Sequence, residues 1–119
     1  CLGDIAIVPL VVGRASPFMV AEVLDLLYRP DTLMIISTDL SHYLSYDDAQ
    51  STDSKTADSI LHLQSDLSSN QACGCMVLNG LAEWAKGHDL TVHRITMMNS
   101  GDTAGDKAQV VGYGSFYLS

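Results

Sequence analysis

Apolar residues along this chain fall in short blocks separated by polar turns, and the period within each block predicts its element. Residues 5–12 are β-branched and read as a strand, in which Pro9 removes one ladder donor and Gly13 marks the end. Ser16 and Pro17 supply an N-cap and a first-turn proline for a helix whose apolar face carries Val20, Leu24 and Leu27, with Val23 beside them. Arg29-Pro30-Asp31 stops that helix. Residues 33–36 are apolar on both faces, as expected of a strand inside a parallel sheet covered on both sides. This βαβ unit is predicted to form a parallel pair with a right-handed crossover.

Further on, residues 47–63 read as a polar helix with Ala57, Ile60, Leu61 and Leu63 inward, and 65–70 as a polar break. Residues 72–86 read as a helix ended by Gly87, with Cys73, Val77, Leu81 and Trp84 at helical spacing. Strands are expected over 90–98 and 109–118, joined by a glycine-rich loop over 99–106. The order β-α-β-α-α-β-β implies an α/β fold with a partly parallel sheet flanked by helices, closer to one half of an α/β sandwich than to a whole one.

Composition narrows the function. Of 119 residues, 47% are hydrophobic, rich for a small free-standing domain, so part of the apolar surface is expected to pack on more of the same chain or on a partner. The chain opens on Cys1, which suggests that this is not a native start. The net charge is -8, from 14 acidic and 6 basic residues, with no basic stripe; nucleic acid and anionic membrane are not expected partners. The acidic run between Asp47 and Asp66 reads as a solvated helix face. No apolar run approaches the roughly 18 residues that span a bilayer. Three cysteines without a secretory signal fit a reducing cytoplasm better than a disulfide framework.

The densest chemistry follows the second strand, in Ser37-Thr38-Asp39-Leu40-Ser41-His42-Tyr43. Ligands of open α/β sheets bind outside the carboxyl ends of strands. An Asp and a His three residues apart there can share a proton, a metal or a substrate. Asp39 can equally cap the next turn and His42 be structural. Cys73, expected at a helix start with Asn70 or Ser69 as cap, is placed where helix N–H groups favour a thiolate, or else is a small core residue. Cys75, two residues on, points the other way on a helix and does not chelate with it. His62, His88 and His93 read as structural or exposed. The 99–106 loop lacks the ligands of an EF-hand and the Lys of a phosphate loop, yet can wall the same cleft as Asp39 and His42.

Six pieces occur in one order: Leu2-Gly3-Asp4, Ile7 to Gly13, Ser37 to Tyr43, Ala72-Cys73-Gly74, Asn99-Ser100-Gly101-Asp102 and Val110-Val111-Gly112-Tyr113. Together they resemble the carboxy-terminal half of the Memo family, called AmmeMemoRadiSam system protein B in bacteria. That family resembles class III extradiol dioxygenases of the LigB type, which hold non-haem Fe(II) with two His and one Glu and use another His as acid/base. In Memo-like proteins a Cys takes the place of the Glu. The resemblance implies that Cys73 is a metal ligand, that His42 takes the acid/base position, and that Asp39 lines the same cleft. A thiolate makes the site softer, compatible with iron, copper or zinc.

The family's His ligands lie in its amino-terminal half, so the resemblance implies an incomplete site over these residues, with the missing half as partner. Cys75 and Met76 stand where relatives commonly carry a basic or polar residue. The implied activity is that of a metal-dependent, dioxygenase-like oxidoreductase acting on a small molecule. The alternative is a non-catalytic module holding a metal, a peptide or a partner protein on the same scaffold.

Overall fold

Ser16 starts the first helix as expected: its hydroxyl accepts the Met19 N–H at 3.2 Å, and Pro17 occupies the first turn of α1 (Pro17–Leu27). The structure is a computed structural model and describes residues 3–103 and 105–119. Cys1, Leu2 of the Leu2-Gly3-Asp4 piece and Ala104 of the glycine-rich loop lie outside the described residues. The other elements are β1 (His42–Leu44), α2 (Tyr46–Leu61), α3 (Cys75–Gly87), β2 (Val92–Asn99), α4 (Ser100–Thr103) and β3 (Val110–Leu118).

The fold is mixed α/β, but its sheet is not partly parallel. The three strands run in the order β1-β3-β2, and both pairings are antiparallel. The expected parallel strands, 5–12 and 33–36, carry no strand structure. A strand exists only through its ladder partner, and neither segment has one among the described residues. Ile7, Val8 and Val11 are exposed along the first. Leu33 and Ile35 are exposed on the second, while Met34 and Ile36 turn half-inward. The β2–β3 hairpin is where the sequence pattern puts it, from Val92 opposite Leu118 to Asn99 opposite Gly112, with a register shift between Arg94 and Thr96. The loop between these strands begins as α4.

The main core lies between α1 and α3, where Val20 and Leu24 pack on Trp84 and Ala85, with Val77, Leu81, Met34 and Leu118 against them. Val23 and Leu27, expected on this face, are exposed. Tyr28 meets Trp84 edge-on at 5.3 Å, and His88 bonds Asp25 at 2.7 Å across the same helix pair. Helix α2 packs on β2 and β3 through Ala49, Asp53, Thr56 and Ala57; Ile60, Leu61 and Leu63 are only half-buried. Asn79 of α3 accepts the Leu67 N–H and donates to the Leu67 carbonyl, both at 2.9 Å, which ties down the polar break. Among the described residues no helix is long and apolar enough to cross a membrane.

A polar buckle joins the start of α2 to the loop after β2. The Tyr46 hydroxyl donates to Asp102 at 2.5 Å, and the other Asp102 oxygen accepts the Asn99 N–H at 2.9 Å. The hydrogen bond raises the Tyr46 phenol above its ordinary pKa and, with the Asn99 bond, holds the Asp102 carboxyl below its own. A lowered carboxyl pKa contributes stability above its unfolded value and loses it as pH falls through the folded one. A raised phenol pKa contributes below its unfolded value and loses it as pH rises through the folded one. Tyr46→Phe should therefore cost a constant increment of stability from about pH 5 to pH 9 and a shrinking one outside that window; urea titrations across pH check it. In the core, Leu24→Ala should cost about 2–4 kcal/mol in the same assay, because Trp84 and Ala85 cannot collapse fully into the gap.

Candidate functional site

Two chain segments 34 residues apart meet edge to edge before β1 and before α3. The Asp39 N–H donates to Cys73 Sγ at 3.4 Å, and the Cys73 N–H donates back to the Asp39 carbonyl at 3.3 Å. Thr38 fastens the same seam. Its Oγ1 accepts the Gly74 N–H at 2.7 Å and lies 3.3 Å from Cys73 Sγ and 2.9 Å from the Asp39 carbonyl, so its single proton serves the sulfur or that carbonyl. The fit depends on Gly74. A Cβ there would stand 2.7 Å from both Thr38 Cβ and Oγ1.

Cys73 is thus not the first residue of a helix. Helix α3 begins at Cys75, with Gly74 as N-cap and no side-chain cap, so neither Asn70 nor Ser69 caps it. Residues 68–72 close a turn on themselves, with Gln71 and Ala72 N–H groups on the Ser68 carbonyl, which delays the helix. Thr38, from across the fold, takes the Gly74 N–H instead. Cys73 is exposed while Cys75 is buried in α3, so it is this difference in burial, and not opposite faces of one helix, that separates the two thiols; among the described residues neither is in a disulfide.

His42 opens β1, opposite Val111. Its Nε2 lies 3.6 Å from Asp39 Oδ2, just beyond hydrogen-bond length, with both side chains partly exposed. One ligand atom each from Asp39, His42 and Cys73 lies within 4.8 Å of the others. A cation with tetrahedral bonds of about 2.0–2.3 Å needs donors roughly 3.3–3.8 Å apart. The Asp39–His42 distance already falls in that range, and the sulfur lies within 4.8 Å of both. A carboxylate, an imidazole and a thiolate together suit a borderline or soft cation. The next residue, Tyr43, has φ +59°, a conformation that costs an aromatic residue of order 1–3 kcal/mol. It takes up the register shift between His42 and Leu44, so the strand bulges just after the site.

The structure brings Asp39, His42 and Cys73 together and leaves the other histidines elsewhere. His62 bonds the Asp58 carbonyl, His88 bonds Asp25, and His93 bonds Ser119 and stacks on Tyr117. Among the described residues the 99–106 loop contributes no donor to the cluster; Asp102 faces Tyr46 instead. Two residues at the seam carry weight that the sequence reading did not assign. Thr38 lies inside the motif, but its role needs the partner segment to be seen. Asp53 is 4% exposed and accepts the Ser41 N–H at 2.9 Å, although it belongs to a run read as a solvated face. Its spacing held the signal: position 53 falls four residues after Ala49 and four before Ala57, on the buried stripe of α2.

An apolar cavity of about 610 Å³ opens beside the seam. It is lined by Met34, Ile36, Thr38, Leu40, Trp84 and Phe116 among others, and the Trp84 Nε1–H is buried without a hydrogen-bond partner among the described residues.

Comparison with known proteins fits this geometry. A family described as Memo-like protein matches residues 2–117. A protein named MEMO1 family protein, from Desulfurococcus amylolyticus, is 28% identical over 130 residues; the alignment takes in 97% of this chain and 46% of that relative. The chain thus spans about half the length of the curated relative it matches. With the match extending over all six sequence pieces and both sides of the Asp39–Cys73 seam, the chain belongs to the Memo-like protein family.

Proposed function

We propose that this chain carries part of the active site of a metal-dependent oxidoreductase related to extradiol dioxygenases. The observation that carries the reading is the convergence of Cys73, Asp39 and His42 from two segments into one cluster. Cys73 would hold the metal, iron in the first instance, with copper or zinc as alternatives compatible with a thiolate. Bound there, such an ion supplies Lewis-acid polarisation and, for iron or copper, one-electron chemistry. The chain's own residues do the rest. His42 Nε2 accepts or returns a substrate proton. Asp39 lines the same cleft, with Oδ2 3.6 Å from that nitrogen. The Asp39 N–H and Thr38 hydroxyl fix the direction of the sulfur.

In this reading the 119 residues are the carboxy-terminal portion of a single Memo-like domain. The remaining portion supplies further ligands and covers the exposed apolar segments at 5–12 and 33–36, together with the cavity that 33–36 borders. The substrate is a small molecule or a peptide, and the compartment a reducing cytoplasm, in which an exposed thiol stays free. A second reading, a non-catalytic module binding metal, peptide or partner on the same scaffold, draws on the thiolate itself, which makes a different iron environment from a carboxylate.

Full-length protein purified without added metal should contain stoichiometric iron or copper by elemental analysis, and Cys73→Ser should lose it. His42→Ala should keep the metal but lose oxygen uptake across a catechol panel. Metal retained without oxygen uptake in the unmutated protein favours the binding module, and no metal in that protein or in its variants removes the metal centre altogether. Gly74→Ala, which pushes Thr38 off the seam, should weaken metal affinity about 10-fold in competition with a chelator.

A further inference from the structure

A buried carboxylate stands behind the Asp39–His42 turn. Asp53 reaches from the inner face of α2, and its Oδ1 accepts the Ser41 N–H at 2.9 Å. Ser41 itself is fully buried, between the two residues that face the site. Its carbonyl accepts the Gly112 N–H at 2.9 Å, and the Gly112 carbonyl accepts the Leu40 N–H at 2.9 Å. The turn is thus held by β3 through Gly112 and by α2 through Asp53. The Ser41 hydroxyl adds no hydrogen bond to the turn, being buried without a partner among the described residues. Space for the carboxylate comes from the same glycine: a Cβ on Gly112 would stand 1.9 Å from Asp53 Oδ2.

Among the described residues no Lys, Arg or His nitrogen lies within 4.0 Å of the Asp53 carboxylate. Burying a charged group with so little compensation is costly. An apolar residue on this stripe of α2 would pack without that cost but would leave the buried Ser41 N–H unpaired. What the carboxylate adds is a fixed anchor for one backbone amide, with Asp39 two residues before it and His42 one residue after. Since the Asp39 backbone also bonds Cys73 at both ends of the seam, the anchor reaches all three members of the cluster.

We propose that Asp53 is a positioning residue: through the Ser41 amide it sets the Asp39–His42 turn against Cys73 and so tunes the affinity of the cluster for a divalent ion. The inference rests on the metal reading above and assigns Asp53 no contact with metal or substrate.

Cobalt(II) is the probe, followed in the full-length protein by its visible bands and its thiolate charge-transfer absorption. Asp53→Ala should bind Co(II) about 10-fold more weakly, the scale of losses when an outer partner of a ligand is removed. Asp53→Asn keeps an oxygen for the Ser41 N–H and should stay within about twofold of wild type. Gly112→Ala, which displaces the carboxylate while leaving it in the chain, should match Asp53→Ala. Thr56→Val is the control for plain destabilisation: Thr56 is fully buried on the same helix but bonds only the Thr52 carbonyl within it, so Co(II) affinity should not move. Wild-type affinity in Asp53→Ala, or equal losses in the Ala and Asn variants, overturns the proposal. If no variant and no wild-type sample takes Co(II), the metal reading fails and amide exchange decides the positioning role alone. Selective speeding at Ser41 in Asp53→Ala supports it, and unchanged exchange there overturns it.

Discussion

The pair of hydrogen bonds between Asp39 and Cys73 is the constraint on which the site depends. Each residue donates its backbone N–H to the other, one to a carbonyl and one to a sulfur. Remove it and the segment entering β1 has no fixed relation to the segment entering α3. The bond to sulfur is soft and long, and alone would hold little. Thr38 and Gly74 make it rigid, because the hydroxyl accepts the Gly74 N–H just before α3 while lying against the thiol. The residue that precedes α3 and the thiol beside it are thus held by one oxygen.

Around that seam the structure divides its labour. The α1–α3 pair, with Trp84 at its centre, is an ordinary apolar core and sets where Cys73 emerges. The antiparallel hairpin and α2 set where His42 emerges, and they do so largely through polar groups: Gly112 on one side of the turn, Asp53 on the other. Apolar packing tolerates small rearrangements, whereas a buried carboxylate on a single N–H does not. The polar half of the fold is therefore the half that defines the geometry of the site.

Much of this was legible in the sequence where the cause is local. Ser16 and Pro17 start a helix by their own chemistry, so α1 begins where expected. The alternation leading to the 99–106 turn signals placed the β2–β3 hairpin to within a few residues. The parallel pairing was not legible in the same way. Residues 5–12, apart from Pro9, and residues 33–36 have the apolar pattern of strands, but strand formation is a property of two segments, and no partner strand pairs with them among the described residues. Cys73 shows the same limit in miniature. Helical spacing suggested that it began α3, yet a turn closed by Ser68 and a hydroxyl from Thr38 move the start to Cys75. Asp39, His42 and Cys73 were singled out by motif and resemblance, and their mutual approach is a fact of tertiary structure. Asp53 was hidden by composition: in an acidic stretch, one inward carboxylate looks like its solvated neighbours until its helical phase is compared with Ala49 and Ala57.

The seam has a consequence for the chain between its ends. Asp39 and Cys73 bracket all of α2 and the turn that follows it, so whatever bridges them closes a loop of 34 residues at its neck. Closing such a loop removes conformational freedom from the opened chain rather than adding contacts to the closed one. An occupant of the cluster then acts as a clasp on a stretch that it never touches. The helix becomes harder to unravel as a unit, and its opening and the occupant's departure become the same event, read from two ends.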